Sequence, residues 1–358
     1  GEFRSFLKKN HYIKGLLPLL YYSLRKSNVS LDHEINSLLK TAYLSECTRY
    51  EYYLKACDEI FTCLLKRGFR FLVVKGMASS HLAYPCPTLR HSHDLDIFLR
   101  KRDMADAAYH LRRLGLVENH DISRPRLDLQ FIHSARFPIE LHHELFYLNY
   151  YTIKKREIWE NRESIMMGHH QVQTTSPEIT ILHTCIHASY SPNYQSLSWI
   201  CDIYFLVKTC KLQWDKILEL VEASGSVLPL LCVFEYMVND LEILIPKKVI
   251  IQLQEQATKA SKVQKQIWNF SQHYGALSKS LSYLFTCKET RSIIASSIFP
   301  SEDYMAYLSN SVSVNKNVYE GYYVVKFLCF AVFVFFPKRL LLFFQNSLLK
   351  SLTKPIKQ

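Results

Sequence analysis

Residues 71–99, FLVVKGMASSHLAYPCPTLRHSHDLDIFL, decide how this chain is read. Phe71–Val74 is a short β-branched and aromatic run, and Lys75-Gly76 closes it, as at a turn from a strand into a helix. Leu95, Ile97 and Leu99 alternate with Asp94, Asp96 and Phe98. A strand here turns both aspartates to one side and packs its aliphatic side chains on the other. Two carboxylates so spaced suit a hard divalent cation, and magnesium is commonly held by one or two carboxylates plus substrate phosphates. Nucleotide chemistry is therefore the first expectation, set against the plainer reading of a solvated strand end.

The neighbouring residues strengthen that expectation. Lys75-Gly76 brings a cation and unhindered backbone N–H groups to a helix N-terminus, where phosphate binds well. Arg90, four residues before Asp94, is suited to clamp a phosphate or to pair with a carboxylate. A third acid, Glu140, lies between Ile139 and Leu141 on what reads as another alternating strand.

Lys75-Gly76, Arg90, Asp94-Leu95-Asp96 and Ile139-Glu140-Leu141-His142, in that order, resemble the uncharacterised nucleotidyltransferase family of the DNA polymerase beta superfamily. The similarity continues to about Trp214 through Ser176-Pro177-Glu178, His183, His187 and Trp199-Ile200-Cys201-Asp202. The resemblance implies a small mixed sheet bearing three acids, two metal ions, and attack of an acceptor hydroxyl on the α-phosphate of a nucleoside triphosphate. Two features depart from the superfamily pattern. Met77 follows Gly76 where glycine or serine is usual, and the 17 residues between Gly76 and Asp94 exceed the usual gap. A helix and loop over 77–89 would absorb the extra length.

Composition places the chain among globular proteins: of 358 residues, 48% are hydrophobic and 21% charged, with only nine glycines, which argues against a disordered or fibrous chain. Ten cysteines without a C-x-x-C pair read as reduced, mostly buried thiols in a cytoplasmic protein. A formal net charge of +12 favours an anionic partner, whether nucleotide, nucleic acid or membrane surface. The first residues, GEFRSFLKKN, lack the continuous apolar stretch of a secretory signal.

Apolar spacing predicts helices over 5–67, one begun by Asp32 and another through Tyr53, Ile60 and Leu64. Further helices are expected after Arg102-Asp103 up to Gly115, from Ser176-Pro177 onward, and over 199–208, 214–223, 227–241 and 248–271. Strands are expected at 117–122 and 127–133. The many histidines between His91 and His143 raise a zinc alternative, but the HExxH pattern is missing because residue 147 is tyrosine. Near the C-terminus, 322–336 is an apolar run of 15 residues, shorter than the ~20 that span a bilayer. With 340–349 and its basic flank, it reads as a buried hairpin, an interfacial segment or a dimer surface, with burial or peripheral membrane contact favoured over spanning.

The expected protein is thus α+β. A polymerase-beta-like core with a small mixed sheet at 68–175 follows an N-terminal helical segment at 1–67. A helical substrate-cleft domain at 176–310 and an apolar, basic segment at 311–358 complete it. Asp94, Asp96 and Glu140 are the expected metal ligands and catalytic acids, with Glu140 activating the acceptor. Lys75, Gly76, Arg90 and His187 are expected to bind the nucleotide. Mg2+ or Mn2+ and an NTP, ATP first, are the expected cofactor and substrate, and a small molecule, glycan precursor or protein supplies the hydroxyl. The alternatives are a non-catalytic nucleotide-binding or scaffold protein, and an RNA-modifying enzyme drawing on the positive charge.

Overall fold

The structure, a computed structural model, describes residues 11–119, 129–134, 137–146, 151–189, 197–262, 264–265 and 268–269. All belong to one unit of the chain, residues 1–282. The expected segment 311–358, its membrane contact through 322–349, the end of the 176–310 domain and parts of the strands at 117–122 and 127–133 lie outside the described residues.

After a 3-10 turn at His11–Leu16, the described residues begin with two helices, α1 (Leu17–Lys26) and α2 (His33–Lys66). Asp32 caps α2, its Oδ1 accepting from the Ile35 N–H at 2.9 Å. The expectation of two helices between Asp32 and Arg67 is corrected: α2 runs 34 residues without interruption. No glycine or proline breaks it, and the buried stripe Leu39, Tyr50, Cys57, Ile60, Phe61 and Leu64 keeps one face against the core throughout. The helix stops at Gly68, whose φ of +74° lets the Phe69 N–H reach back to the Leu64 carbonyl.

The core then alternates strand and helix: β1 (Phe71–Val74), α3 (Lys75–Ala83), β2 (Leu95–Leu99), α4 (Met104–Arg113), β3 (Val117–Asn119), β4 (Leu129–Ile132) and β5 (Pro138–His142). The five strands form one mixed sheet in the order β1-β2-β5-β4-β3. β2 and β5 run parallel and the other pairs antiparallel. As expected, α3 and a 3-10 turn at Pro87–Leu89 absorb the long interval before Asp94. The expected strand at the aspartates begins one residue later than its pattern implied, at Leu95, leaving Asp94 on the preceding loop. A short helix α5 (Lys155–Glu160) and a hairpin β6 (Arg162–Met167) and β7 (His170–Thr175) follow. The sequence reading missed that hairpin.

From Pro177 the described chain is helical: α6 (Pro177–Ser189), α7 (Leu197–Thr209), α8 (Trp214–Ser224), α9 (Val227–Asn239) and α10 (Lys247–Lys259). Among the described residues no helix is long and apolar enough to cross a membrane.

The period of two along a strand sends successive residues to opposite faces of the sheet. Phe71, Val73, Leu95, Ile97, Leu99, Ile139 and Leu141 pack one face against α2, α4 and the hairpin. Leu72, Val74 and Phe98 face the other way and join the core of α6 to α10. That second face also receives Asp96, Glu140 and His142, which alternate with the first set along β2 and β5. The architecture is the α+β arrangement expected, with helices on both faces of a small mixed sheet.

Candidate active site

Strand register assembles the polar cluster. Asp96 lies opposite Glu140 in the parallel β2–β5 pair, and opposite Val74 in the antiparallel β1–β2 pair. Lys75 follows Val74 at once, so the chain turns into α3 beside the two acids. Lys75 Nζ donates to Asp96 Oδ1 at 2.5 Å and lies 3.6 Å from Glu140 Oε2. His142 Nε2 is 2.7 Å from Asp96 Oδ1, 3.5 Å from Glu140 Oε2 and 3.2 Å from Lys75 Nζ. Gln130, opposite Glu140 on β4, donates its side-chain amide to Glu140 Oε1 at 2.6 Å and fixes that carboxylate. Asp96, Glu140 and His142 are all buried.

Burial alone would push the Asp96 carboxyl up, but the Lys75 ammonium and the His142 bond hold it down at about 2. Asp94 shows the opposite balance. Burial and then the charge of Asp96 raise its carboxyl to about 7. Two neighbouring carboxylates driven apart in this way are common where a fold concentrates negative charge for chemistry.

The loop carrying Asp94 is pinned from two sides. On one, Arg49 of α2 donates to the Ser92 carbonyl at 2.6 Å, and His91 Nδ1 lies 2.7 Å from Glu46 Oε2. Burial opposes ionisation of Glu46, yet His91 and Arg49 keep its carboxyl below the ordinary value. On the other side, Arg90 forks onto Asp202 of α7, with Nε to Oδ1 and Nη2 to Oδ2 both at 2.9 Å. Tyr84 completes this pair by donating its hydroxyl to Asp202 Oδ1 at 2.7 Å. Of the two partners the sequence allowed Arg90, the structure shows a carboxylate.

Gly76 lies against this loop. A β-carbon there would lie 3.0 Å from Ser92 Oγ and 3.2 Å from Arg90 Nη2, so the loop packs closely on the glycine and a side chain would have to displace it by a few tenths of an ångström. Lys75 itself has φ +58°, a left-handed conformation that few non-glycine residues adopt. Val74, the residue before α3, offers no side-chain cap to its first amides. Met77 is turned away into the core, 1% exposed.

His183 and His187, one turn apart on α6, have ring centroids 4.4 Å apart. His187 meets Trp199 edge-on at 5.4 Å, while His183 lies against Phe146 at 5.8 Å. Burial, then the Lys75 charge, lowers the His183 imidazole to about 3, and its Nε2 finds no hydrogen-bond partner among the described residues.

The structure therefore brings together Lys75, Asp96 and Glu140 and adds His142. Ligating atoms of Asp96, Glu140 and His142 lie within 4.8 Å of one another, the one such group of three among the described residues. His142 was not among the expected site residues, although its alternation with Glu140 matches that of Asp94 with Asp96. Asp202, 112 positions after Arg90, carries no local sign of its partner.

Two carboxylates and an imidazole within a few ångströms can hold a divalent ion, and a flanking cation at a helix N-terminus can meet phosphate oxygens. The antibiotic-resistance factor ANT(2'')-Ia, solved in solution, is 11% identical over 49% of this chain and 92% of its own, with a TM-score of 0.37. An antigenic nucleotidyltransferase-like protein from Paracoccidioides brasiliensis is 14% identical over 56% of this chain and 92% of its own, with a TM-score of 0.36. No curated protein sequence matches. The model of the uncharacterised nucleotidyltransferase family matches residues 13–241, a span holding Lys75, Asp94, Asp96, Glu140, His142 and Asp202, and the chain belongs to that family.

Proposed function

We propose that this nucleotidyltransferase moves a nucleoside monophosphate, with ATP as the favoured donor, to a hydroxyl on a small molecule, glycan precursor or protein, using Mg2+ or Mn2+. The observation that carries this reading is the convergence of Asp96, Glu140 and His142 beside Lys75 on one sheet face. The donor set fits a divalent ion: its carboxylates suit a hard cation, and the imidazole tilts the site toward manganese over magnesium. Bound there, with Asp94 alongside, the ion would polarise the α-phosphate and lower the pKa of the attacking hydroxyl.

The protein's own groups divide the remaining work. Glu140, held by Gln130, takes the proton of the acceptor hydroxyl. The acceptor oxygen bonds to the α-phosphorus as the α,β bridge breaks and pyrophosphate leaves. Lys75 and the first amides of α3 meet the phosphate charge, and Gly76 lets the loop that carries Asp94 pack close beside them. Arg90 acts from beneath, through Asp202, by fixing the loop that presents Asp94. His187, whose ring meets Trp199 edge-on, is assigned to the nucleotide.

Purified protein is incubated with each α-phosphate-labelled nucleoside triphosphate, Mg2+ or Mn2+, and a cell extract, and label is followed into small molecules, RNA and protein. Label should enter one pool, and Asp94→Asn, Asp96→Asn and Glu140→Gln should each abolish most of it, costing little extra when combined. Transfer that survives the aspartate substitutions would sink the assignment. Binding without transfer for every nucleotide would favour the non-catalytic reading, and label in RNA the RNA-modifying one.

A further inference from the structure

Lys75 occupies an unusual place for a phosphate ligand. Its ammonium lies 2.5 Å from Asp96 Oδ1, 3.6 Å from Glu140 Oε2 and 3.2 Å from His142 Nε2, and so contacts all three side chains that could hold a metal. The backbone that delivers it there is in the left-handed region at φ +58°, a conformation that costs a lysine about 1 kcal/mol or more. Buried carboxylates without a counterion are costly, and this lysine is the cation they share. It is also the most exposed part of the cluster: its side chain is 19% exposed against 1% for Asp96 and 9% for Glu140.

We propose that Lys75 is the resident cation of the metal site, displaced when a divalent ion binds and then free to contact the triphosphate. This inference rests on the metal-dependent reading above and adds a coupling to it. A divalent ion and the ammonium cannot share Asp96 Oδ1 without strong repulsion, so metal entry expels Lys75 from the carboxylates. From the start of α3 the released ammonium reaches the phosphates that arrive with the nucleotide. Metal and nucleotide then favour each other's binding through one side chain, and the coupling is reciprocal. Until metal is present Lys75 offsets part of the charge that Asp96 and Glu140 bring to the site.

The test uses the full chain and the isosteric, uncharged Lys75→Met. Mn2+ is titrated calorimetrically with and without α,β-methylene ATP, which lacks the bond that breaks in transfer. Lys75→Met should bind Mn2+ alone about tenfold or more tightly than wild type, because no ammonium has to leave. It should bind the analogue more weakly, and the mutual enhancement seen in wild type should shrink. Equal or weaker Mn2+ binding by a folded Lys75→Met would overturn the proposal and leave the metal site standing. Failure of both proteins to bind Mn2+ would instead remove the metal-dependent reading on which it rests. Wild type supplies an independent measurement should the variant not fold: acetylation of Lys75 by an N-hydroxysuccinimide ester, read by peptide mass spectrometry, should rise on Mn2+ addition and fall again with the analogue. Unchanged labelling at saturating Mn2+ would also overturn the proposal.

Discussion

Two buried charged clusters meet at α3, and they differ in how their donors and acceptors balance. In the first, Arg90 is forked onto Asp202 and Tyr84 donates to the same carboxylate, so a planar guanidinium matches a planar acid with a hydroxyl added. In the second, Asp96, Glu140 and the nearby Asp94 outnumber the one lysine that neutralises them, and His142 stands among them. A closed, matched pair fixes structure. A cluster left with excess acceptor capacity can take a ligand. The two are separated by little more than Gly76, so the rigid pair serves as the footing of the reactive one.

Breaking the closed pair should have the largest effect. Asp202→Ala leaves the Arg90 charge buried and unpaired, and should cost about 3–5 kcal/mol of unfolding free energy in urea titrations. A loss below about 1 kcal/mol would mean that the Arg90–Asp202 fork is not the structural cluster the contrast requires. Gly76→Ala presses a methyl group on Ser92 Oγ and Arg90, and should cost about 1–3 kcal/mol by the same assay while weakening nucleotide binding.

A pH scan separates α3 from both clusters. His81, on the same helix, is bonded to the Tyr50 hydroxyl, and burial lowers its imidazole to about 4. Its folded pKa lies below the unfolded value near 6.5, so the unfolded chain binds more protons in the interval between them. The stability it contributes is fully present above about pH 6.5 and is lost as pH falls toward 4. His81→Gln should flatten that part of the curve of melting temperature against pH. An unchanged slope would assign the acid sensitivity to other groups, His183 first.

The smallest effect on folding is expected at the open cluster. Asp96→Asn removes the charge that Lys75 and His142 favour but also relieves repulsion with Asp94 and Glu140, so metal-free stability should fall by only about 1–2 kcal/mol, whereas Mn2+ binding, followed calorimetrically, should be lost. A loss comparable to that of Asp202→Ala would erase the distinction between the clusters.

Much of this was legible in the chain because period and punctuation are local properties. FLVV followed by KG, and the alternation through DLDIFL and PIELH, place the strands and the face that carries the acids, since a strand sends every second side chain the same way. Asp32 and Ser176-Pro177 mark helix starts through capping chemistry that reaches only three residues. The break expected within 33–66 was misplaced for the converse reason: without glycine or proline, continuity was set by packing along the whole of α2. The hairpin 162–175 escaped notice because its outward residues, Arg162, Glu163 and Ser164, give β6 little apolar alternation before Ile165.

The sequence by itself determined most strand and helix types, the candidate acids and the family pattern, because each rests on short stretches that can be read one after another along the chain. Only the tertiary structure decided that Lys75 lies on Asp96, that His142 joins the acids and that Arg90 belongs to Asp202. Those pairings depend on strand register and on a helix more than a hundred residues away. A charged side chain has several possible partners in sequence, and burial selects the one whose geometry repays its desolvation.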